Sequence, residues 1–158
     1  MLPDDWRRVR AVRLRALRDA PDAFGMTLAE GQAKSIGGWR KRLEDPNSTT
    51  FVATTTEGED VGIVVGCPYN GQIGAAGLFS MWVAPEFRGS GVGGGLIDAL
   101  IAWARADSQI TRILLDVGDH NIDAIRLYES RNFLPTGATG TLPPPREAIL
   151  EHQRELVL

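Results

Sequence analysis

Hydrophobic and polar positions follow two different periods along this chain. Val9, Val12, Leu14 and Leu17 recur near helical spacing behind Pro3-Asp4-Asp5, a start that offers a carboxylate as cap. Ala20-Pro21 stops that helix, because proline disfavours helical backbone in the residue before it. Thr27, with Glu30 three residues on, predicts a second helix opened by a capping box. Gly37-Gly38 kinks or splits it; it resumes from Trp39 to Leu43 and ends before Asp45-Pro46-Asn47. The period then shortens. Thr50 to Thr56 is rich in β-branched residues, Glu57 to Asp60 reads as a turn, and Val61 to Cys67 completes a hairpin. After a turn at Pro68 to Gln72, Ile73 to Val83 is apolar on both faces, the pattern of a central strand.

Pro85 ends that strand and Arg88 to Gly95 reads as a glycine-rich turn. Leu96 to Ala106 is an amphipathic helix that puts Leu96, Leu100, Trp103 and Ala104 on one face. A strand at Thr111 to Val117 and a short helix at Asn121 to Arg131, capped by Asn121 or Asp123, follow. A short strand leads out of Asn132-Phe133-Leu134. Thr136 to Arg146, with Pro143-Pro144-Pro145, reads as a stiff loop, and Ala148 to Leu158 as a closing strand. Strands alternate with helices only in the second half. The expectation is an α+β chain: a mixed, mostly antiparallel sheet with helices on both faces, in one domain over residues 1–158.

Composition narrows the function. The length of 158 residues suits one domain with a sizeable core. A net charge of −3 removes the general electrostatic case for a nucleic-acid partner. One cysteine, Cys67, excludes a disulfide framework and a CxxC metal cluster, and His120 and His152 do not form a ligand pair, so no metal is expected. The N-terminus lacks the apolar core of a signal peptide. The run Ile73 to Pro85 falls short of the about 20 residues that span a bilayer. The expectation is no membrane partner and a reducing cytoplasmic setting.

Glycine changes this picture. Five of the 18 glycines lie between residues 89 and 95, between a strand and a helix. Glycine in a helix costs about 1 kcal/mol relative to alanine, so Gly93, Gly94 and Gly95 there need an offsetting reason. Bare backbone supplies one: a ligand can approach closely, φ can be positive, and the N–H groups of a helix start favour an anion. Arg88 adds a positive charge suited to phosphate. Gly89-x-Gly91-x-x-Gly94 matches the dinucleotide pattern GxGxxG, but Pro85 to Arg88 separate it from the strand and few βα units follow. No GK[ST] is present, which excludes a Walker A loop.

Arg88-Gly89-Ser90-Gly91-Val92-Gly93 resembles the (Q/R)-x-x-G-x-(G/A) motif of the GNAT superfamily, the Gcn5-related N-acyltransferases that use acyl-coenzyme A. A second block resembles that family at the spacing it uses: Asn121-x-x-Ala124-x-x-Leu127-Tyr128-x-x-x-Asn132-Phe133. Asn132 stands where the family has glycine; asparagine also tolerates a left-handed helix end. The two blocks cover about residues 73–136.

The resemblance implies acetyl-CoA as co-substrate, with its pyrophosphate on the backbone N–H groups of Arg88, Gly89, Ser90, Gly91, Val92 and Gly93, and also Gly94. It implies that the pantetheine arm runs along Met81, Trp82 and Val83, one of whose N–H groups polarises the thioester carbonyl. Asn121 and Ala124 would flank that arm, and Tyr128 would be the general acid for the departing thiolate. No residue stands out as the base: Glu30, in the helical segment that lines the family's acceptor cleft, Asp116 and His120 are candidates. Cys67 reads as a small buried hydrophobe, since the family transfers the acyl group directly in a ternary complex.

The implied reaction is N-acetylation of a primary amine on a small molecule or peptide. The alternatives are an acyl-CoA-binding module without turnover and a dinucleotide-dependent enzyme. Family members begin with a strand; here only Met1 to Pro3 precede the first helix, so that strand is short or missing. A homodimer or a wrapping C-terminal segment would cover the exposed sheet edge.

Overall fold

Proline at the first helical positions and acidic residues beside it open the chain as the sequence predicts. In the computed structural model, which describes residues 1–69 and 71–158, a 3-10 turn at Pro3–Asp5 runs into helix α1 (Trp6–Asp19). The turn expected over residues 68–72 includes Asn70, which lies outside the described residues. Val9, Val12, Ala16 and Leu17 form the buried stripe of α1. The Thr27–Glu30 capping box is present at the start of α2 (Leu28–Ala33): Glu30 N donates to Thr27 Oγ1 at 3.2 Å and Thr27 N to Glu30 Oε2 at 2.7 Å. The glycine pair is not the break. Lys34 leaves helical backbone first, and Ser35 caps a separate helix α3 (Ile36–Glu44) by accepting from Gly38 N at 3.1 Å.

Six strands follow: β1 (Thr49–Thr54), β2 (Asp60–Pro68), β3 (Ala75–Val83), β4 (Arg112–Gly118), β5 (Leu134–Thr141) and β6 (Leu150–Val157). They form one sheet in the order β1-β2-β3-β4-β6-β5. Only β3 and β4 are parallel, because helix α4 (Val92–Arg105) crosses over between them. The mixed, mostly antiparallel sheet matches the expectation. Alternation sends neighbours to opposite cores. Val64 packs with Leu96, Ile97 and Leu100 of α4 on one face, and Ile63 packs with Val12 and Leu17 of α1 on the other.

Four expectations need correction. Helix α4 begins at Val92, so Gly93, Gly94 and Gly95 are helical rather than part of the turn. Strand β3 begins at Ala75, and Ile73 is 98% exposed. The segment read as a stiff loop holds most of β5, with Thr139 opposite His152 and Thr141 opposite Leu150. An irregularity between Pro135 and Thr139, where Gly137 has φ +86°, absorbs the residues that resembled a loop. The C-terminal strand β6 lies inside the sheet between β4 and β5, so it does not wrap the β1 edge. No strand precedes α1 among the described residues; the Met1 ammonium donates to the Thr50 carbonyl at 2.8 Å.

Candidate active site

The site begins where two parallel strands part. Pairing of β3 with β4 covers only Ala75↔Arg112, Ala76↔Ile113 and Gly77↔Leu114. Beyond it, β3 stays paired with β2 as far as Val83, and β4 with β6 as far as Gly118. The facing edges of β3 and β4 therefore carry backbone groups that do not pair with each other. A bulge sharpens the divergence: Trp82 faces Ile63 and Phe79 faces Val65, so Ser80 and Met81 together stand against Val64. Ser80 has φ +57°, a left-handed conformation that concentrates at functional sites in non-glycine residues. A cleft of about 1170 Å³ opens here, lined by Phe79, Ser80, Met81, Asp116, Gly118 and Tyr128 among others.

The glycine turn closes one end of the cleft. Gly89 (φ +75°) and Gly91 (φ +91°) both occupy the left-handed region, and Gly91 is the N-cap of α4. Gly95 N to Gly91 O, at 3.0 Å, is the first bond of the helix, so the N–H groups of Val92, Gly93 and Gly94 precede the ladder. Such unpaired donors at the positive end of a 14-residue helix suit a phosphate. Gly89, Gly91, Gly93 and Gly94 line the cleft; Ser90 and Val92 do not. The Ser90 hydroxyl instead donates to Phe87 O at 2.6 Å.

Arg88 departs from its expected role. Its N–H is spent on Pro85 O at 3.2 Å, its Nε donates to Val83 O at 3.0 Å, and its Nη2 pairs closely with Asp19. Asp19 also accepts from Trp82 Nε1 at 2.9 Å, which ties the end of α1 to the end of β3. A positive group that sequence reading missed lies across the helix start. A Cβ at Gly94 would collide with the Arg131 guanidinium, which bonds Asp98 at 3.3 Å and lines the cleft. Leu127 of α5 (Ile122–Glu129) packs beside Gly93 of α4, and Arg131 follows just past the end of α5, so spacing along the chain carries no signal for it.

Met81, Trp82 and Val83 line the cleft along the free β3 edge, while the indole of Trp82 is buried against α1. Asn121 caps α5 by accepting from Ala124 N at 3.4 Å, and both residues line the cleft. Tyr128 is 6% exposed, and its ring meets Phe133 edge-on at 5.9 Å. Its hydroxyl has no hydrogen-bond partner among the described residues, and burial pushes the phenol well above its ordinary pKa of 10. Asn132 has φ +63°, the left-handed helix end that the sequence predicts.

The carboxylates sort differently from expectation. Glu30 is exposed, engaged in the α2 cap and held below the usual carboxylate range by Thr27; it does not line the cleft. His120 is also outside it, beside Asp119 at 3.7 Å. Asp116 lines the cleft and accepts from Tyr69 Oη at 2.7 Å, and Tyr69 accepts in turn from Gln153 Nε2 at 2.9 Å. Glu151, which sequence reading did not single out, joins it. The pairing of β4 with β6 brings Glu151 opposite Gly118, near Asp116. Burial, and then the Asp116 charge, push the Glu151 carboxyl up. Cys67 is half-buried on the cleft, its thiol pushed up by burial, with Arg42 Nη1 at 3.5 Å from Sγ. Leu142 and Pro143 line the far wall. Arg146 pins that segment by donating to the carbonyls of Phe24 at 2.7 Å and Gly25 at 3.0 Å, and to that of Pro21.

This arrangement of strands and helices recurs in solved acetyltransferases. An acetyltransferase of the GNAT family from Streptococcus pneumoniae matches with TM-score 0.81 over 100% of this chain and 96% of its own, at 19% identity. The ribosomal-protein-alanine N-acetyltransferase from Brucella melitensis gives 0.79 over 100% and 97%, at 20% identity. Spermidine N-acetyltransferase from Vibrio cholerae, solved with CoA and spermine, gives 0.77 over 99% and 92%, at 16% identity. Identities this low establish the fold alone. Residues 14–133 match the acetyltransferase (GNAT) family, and the chain belongs to it. It is also 28% identical, over 87% of its length, to the mycothiol acetyltransferase of Nocardiopsis dassonvillei, and spans 42% of that protein.

Proposed function

We propose that this chain is an N-acetyltransferase that moves an acetyl group from acetyl-CoA directly to a primary amine of a small molecule or peptide. The observation that carries this reading is the unpartnered Tyr128 hydroxyl in the same cleft as the unpaired β3 edge and the glycine turn. Acetyl-CoA supplies an acyl group activated as a thioester. The N–H groups of Gly93 and Gly94, with Gly89 and Gly91 in left-handed turns, hold its pyrophosphate, and Arg131 adds positive charge beside them. Backbone groups of Met81, Trp82 and Val83 pair with the pantetheine amides, and an N–H of this edge polarises the thioester carbonyl.

The amine nitrogen forms the new bond to the acyl carbon as the carbon–sulfur bond breaks. Glu151 or Asp116 takes the amine proton, Glu151 being the better base because its carboxyl is pushed up. Tyr128, which burial keeps protonated, donates to the departing sulfur. The same reading takes residues 1–158 as one domain working in a reducing cytoplasm, with no metal. A second copy covering the β1 edge is its oligomeric form, and a monomer in a concentrated sedimentation run removes that part.

The test has two arms. Acetyl-CoA at 100 times its Kd raises stability by about 2.7 kcal/mol, seen as a higher Tm. Tyr128→Phe keeps that shift but lowers the kcat for thiol release by about 100-fold. A full Tm shift with no thiol release from any amine transfers the reading to an acyl-CoA-binding module.

A further inference from the structure

Three cations line the cleft away from the glycine turn: Arg13 on α1, Lys34 at the end of α2 and Arg42 on α3. Arg13 is 8% exposed; its guanidinium lies 4.1 Å from the centre of the Phe24 ring, and its buried Nη1 has no hydrogen-bond partner among the described residues. Trp39, 6% exposed, lines the same wall, and its buried Nε1 is also without a partner among those residues. Lys34 Nζ sits 4.8 Å from the centre of the Trp39 ring. Among the described residues, none of the three cations makes a salt bridge. The Arg42 charge helps hold the Asp45 carboxyl below the usual range, but that carboxylate is tied first to Asn47 and Ser48.

On this wall Arg13 Nη1 and Trp39 Nε1 are donors without acceptors among the described residues. Burial and the Arg42 charge lower the pKa of Arg13 to about 10, and burial, Arg42 and Arg13 all lower that of Lys34. Burying a cation without a partner is costly, and a bound anion would offset that cost. The pyrophosphate subsite does not account for it. Cys67, beside Arg42, pairs with Gly77 near the start of β3, whereas Val83 leads to the glycine turn. Six residues of strand, about 20 Å at about 3.3 Å each, separate the two positions. The β4–β6 wall of the same cleft carries the opposite sign, with Asp116 and Glu151.

Resting on the N-acetyltransferase reading, we propose that the acceptor is an amine that also carries an anionic group, a carboxylate or phosphate. The amine faces Asp116 and Glu151, and the anion sits among Arg13, Lys34 and Arg42. The acceptor is thus an amino acid, a short peptide with a free carboxylate, or an aminoalkyl phosphate, rather than a polycationic amine.

Matched probes test this by fluorescence titration of the CoA-bound protein, with Trp39→Phe used to subtract the other indoles. The pairs are β-alanine against β-alaninamide, glycylglycine against glycylglycinamide, and phosphoethanolamine against ethanolamine. The first two pairs report on a carboxylate and the third on a phosphate. At least one anionic probe binds saturably and at least tenfold more tightly than its neutral match, and Arg42→Gln removes that preference, as does Arg13→Gln where that variant folds. Arg42 is exposed, so its variant folds even if the Arg13 variant does not. Equal or tighter binding of the neutral probes, an unchanged preference in the Arg42 variant, or no saturable anionic probe overturns the inference. Failure of the underlying reading is separate: no amine then releases thiol from acetyl-CoA, whether or not acetyl-CoA raises Tm.

Discussion

Tyr128 joins two properties that most buried tyrosines do not: a buried ring and a hydroxyl without a partner among the described residues. Removing that hydroxyl deletes no hydrogen bond among the described residues, so Tyr128→Phe keeps its Tm while turnover falls. The raised phenol pKa also sets the pH profile: the phenol stays protonated, so the rate does not fall through Tyr128 ionisation below about pH 10. A descending limb near neutral pH that Tyr128→Phe abolishes would contradict this. Arg13 makes the opposite trade. Its folded pKa is depressed, so the charged form is penalised at every pH below about 10 and relieved above it. Arg13→Met therefore holds or raises Tm at neutral pH while acceptor binding is lost, and a clear fall in Tm would contradict that. Tyr128 and Asn132 were legible because both lie in one short motif whose spacing is set within a single helix and its end. Glu151 and Arg131 were not, because strand pairing and helix packing bring them to the cleft.

At the scale of elements, the glycine turn has a conformational requirement that is separable from its space. A Cβ at Gly91 meets nothing within 4 Å, so the positive φ, not crowding, demands glycine there. Gly91→Val costs about 1–2 kcal/mol of stability and shrinks the acetyl-CoA-dependent rise in Tm. A variant with the native Tm shift would show that the turn does not hold the phosphate. The same glycines misled the reading of α4. Three in a row look like a broken helix, yet the helix starts at Val92, and Leu96, Ile97 and Leu100 anchor it on the sheet. Strand β5 runs further than the short strand expected after Phe133 for another reason. All eight of its residues are exposed, so it has no buried face to leave a hydrophobic period.

The whole molecule is a sheet that parts in the middle. Parallel pairing of β3 and β4 ends after three residues, and each strand keeps its outer neighbour, so the gap is built into a continuous core rather than cut from its surface. Sequence patterning reached the layers and the mixed sheet, because periods of helix and strand report burial. It could not reach the length of the β3–β4 ladder or the charges that face each other across the cleft, which depend on register. The central claim is direct acetyl transfer, and an isotopically labelled acetyl group on acetyl-CoA tests it most directly. Incubated with the amine panel, the label appears in an N-acetyl amide in a one-to-one ratio with free thiol, and Tyr128→Phe slows both equally. Thiol released without labelled amide, or label held on the protein before it reaches the amine, would contradict the account.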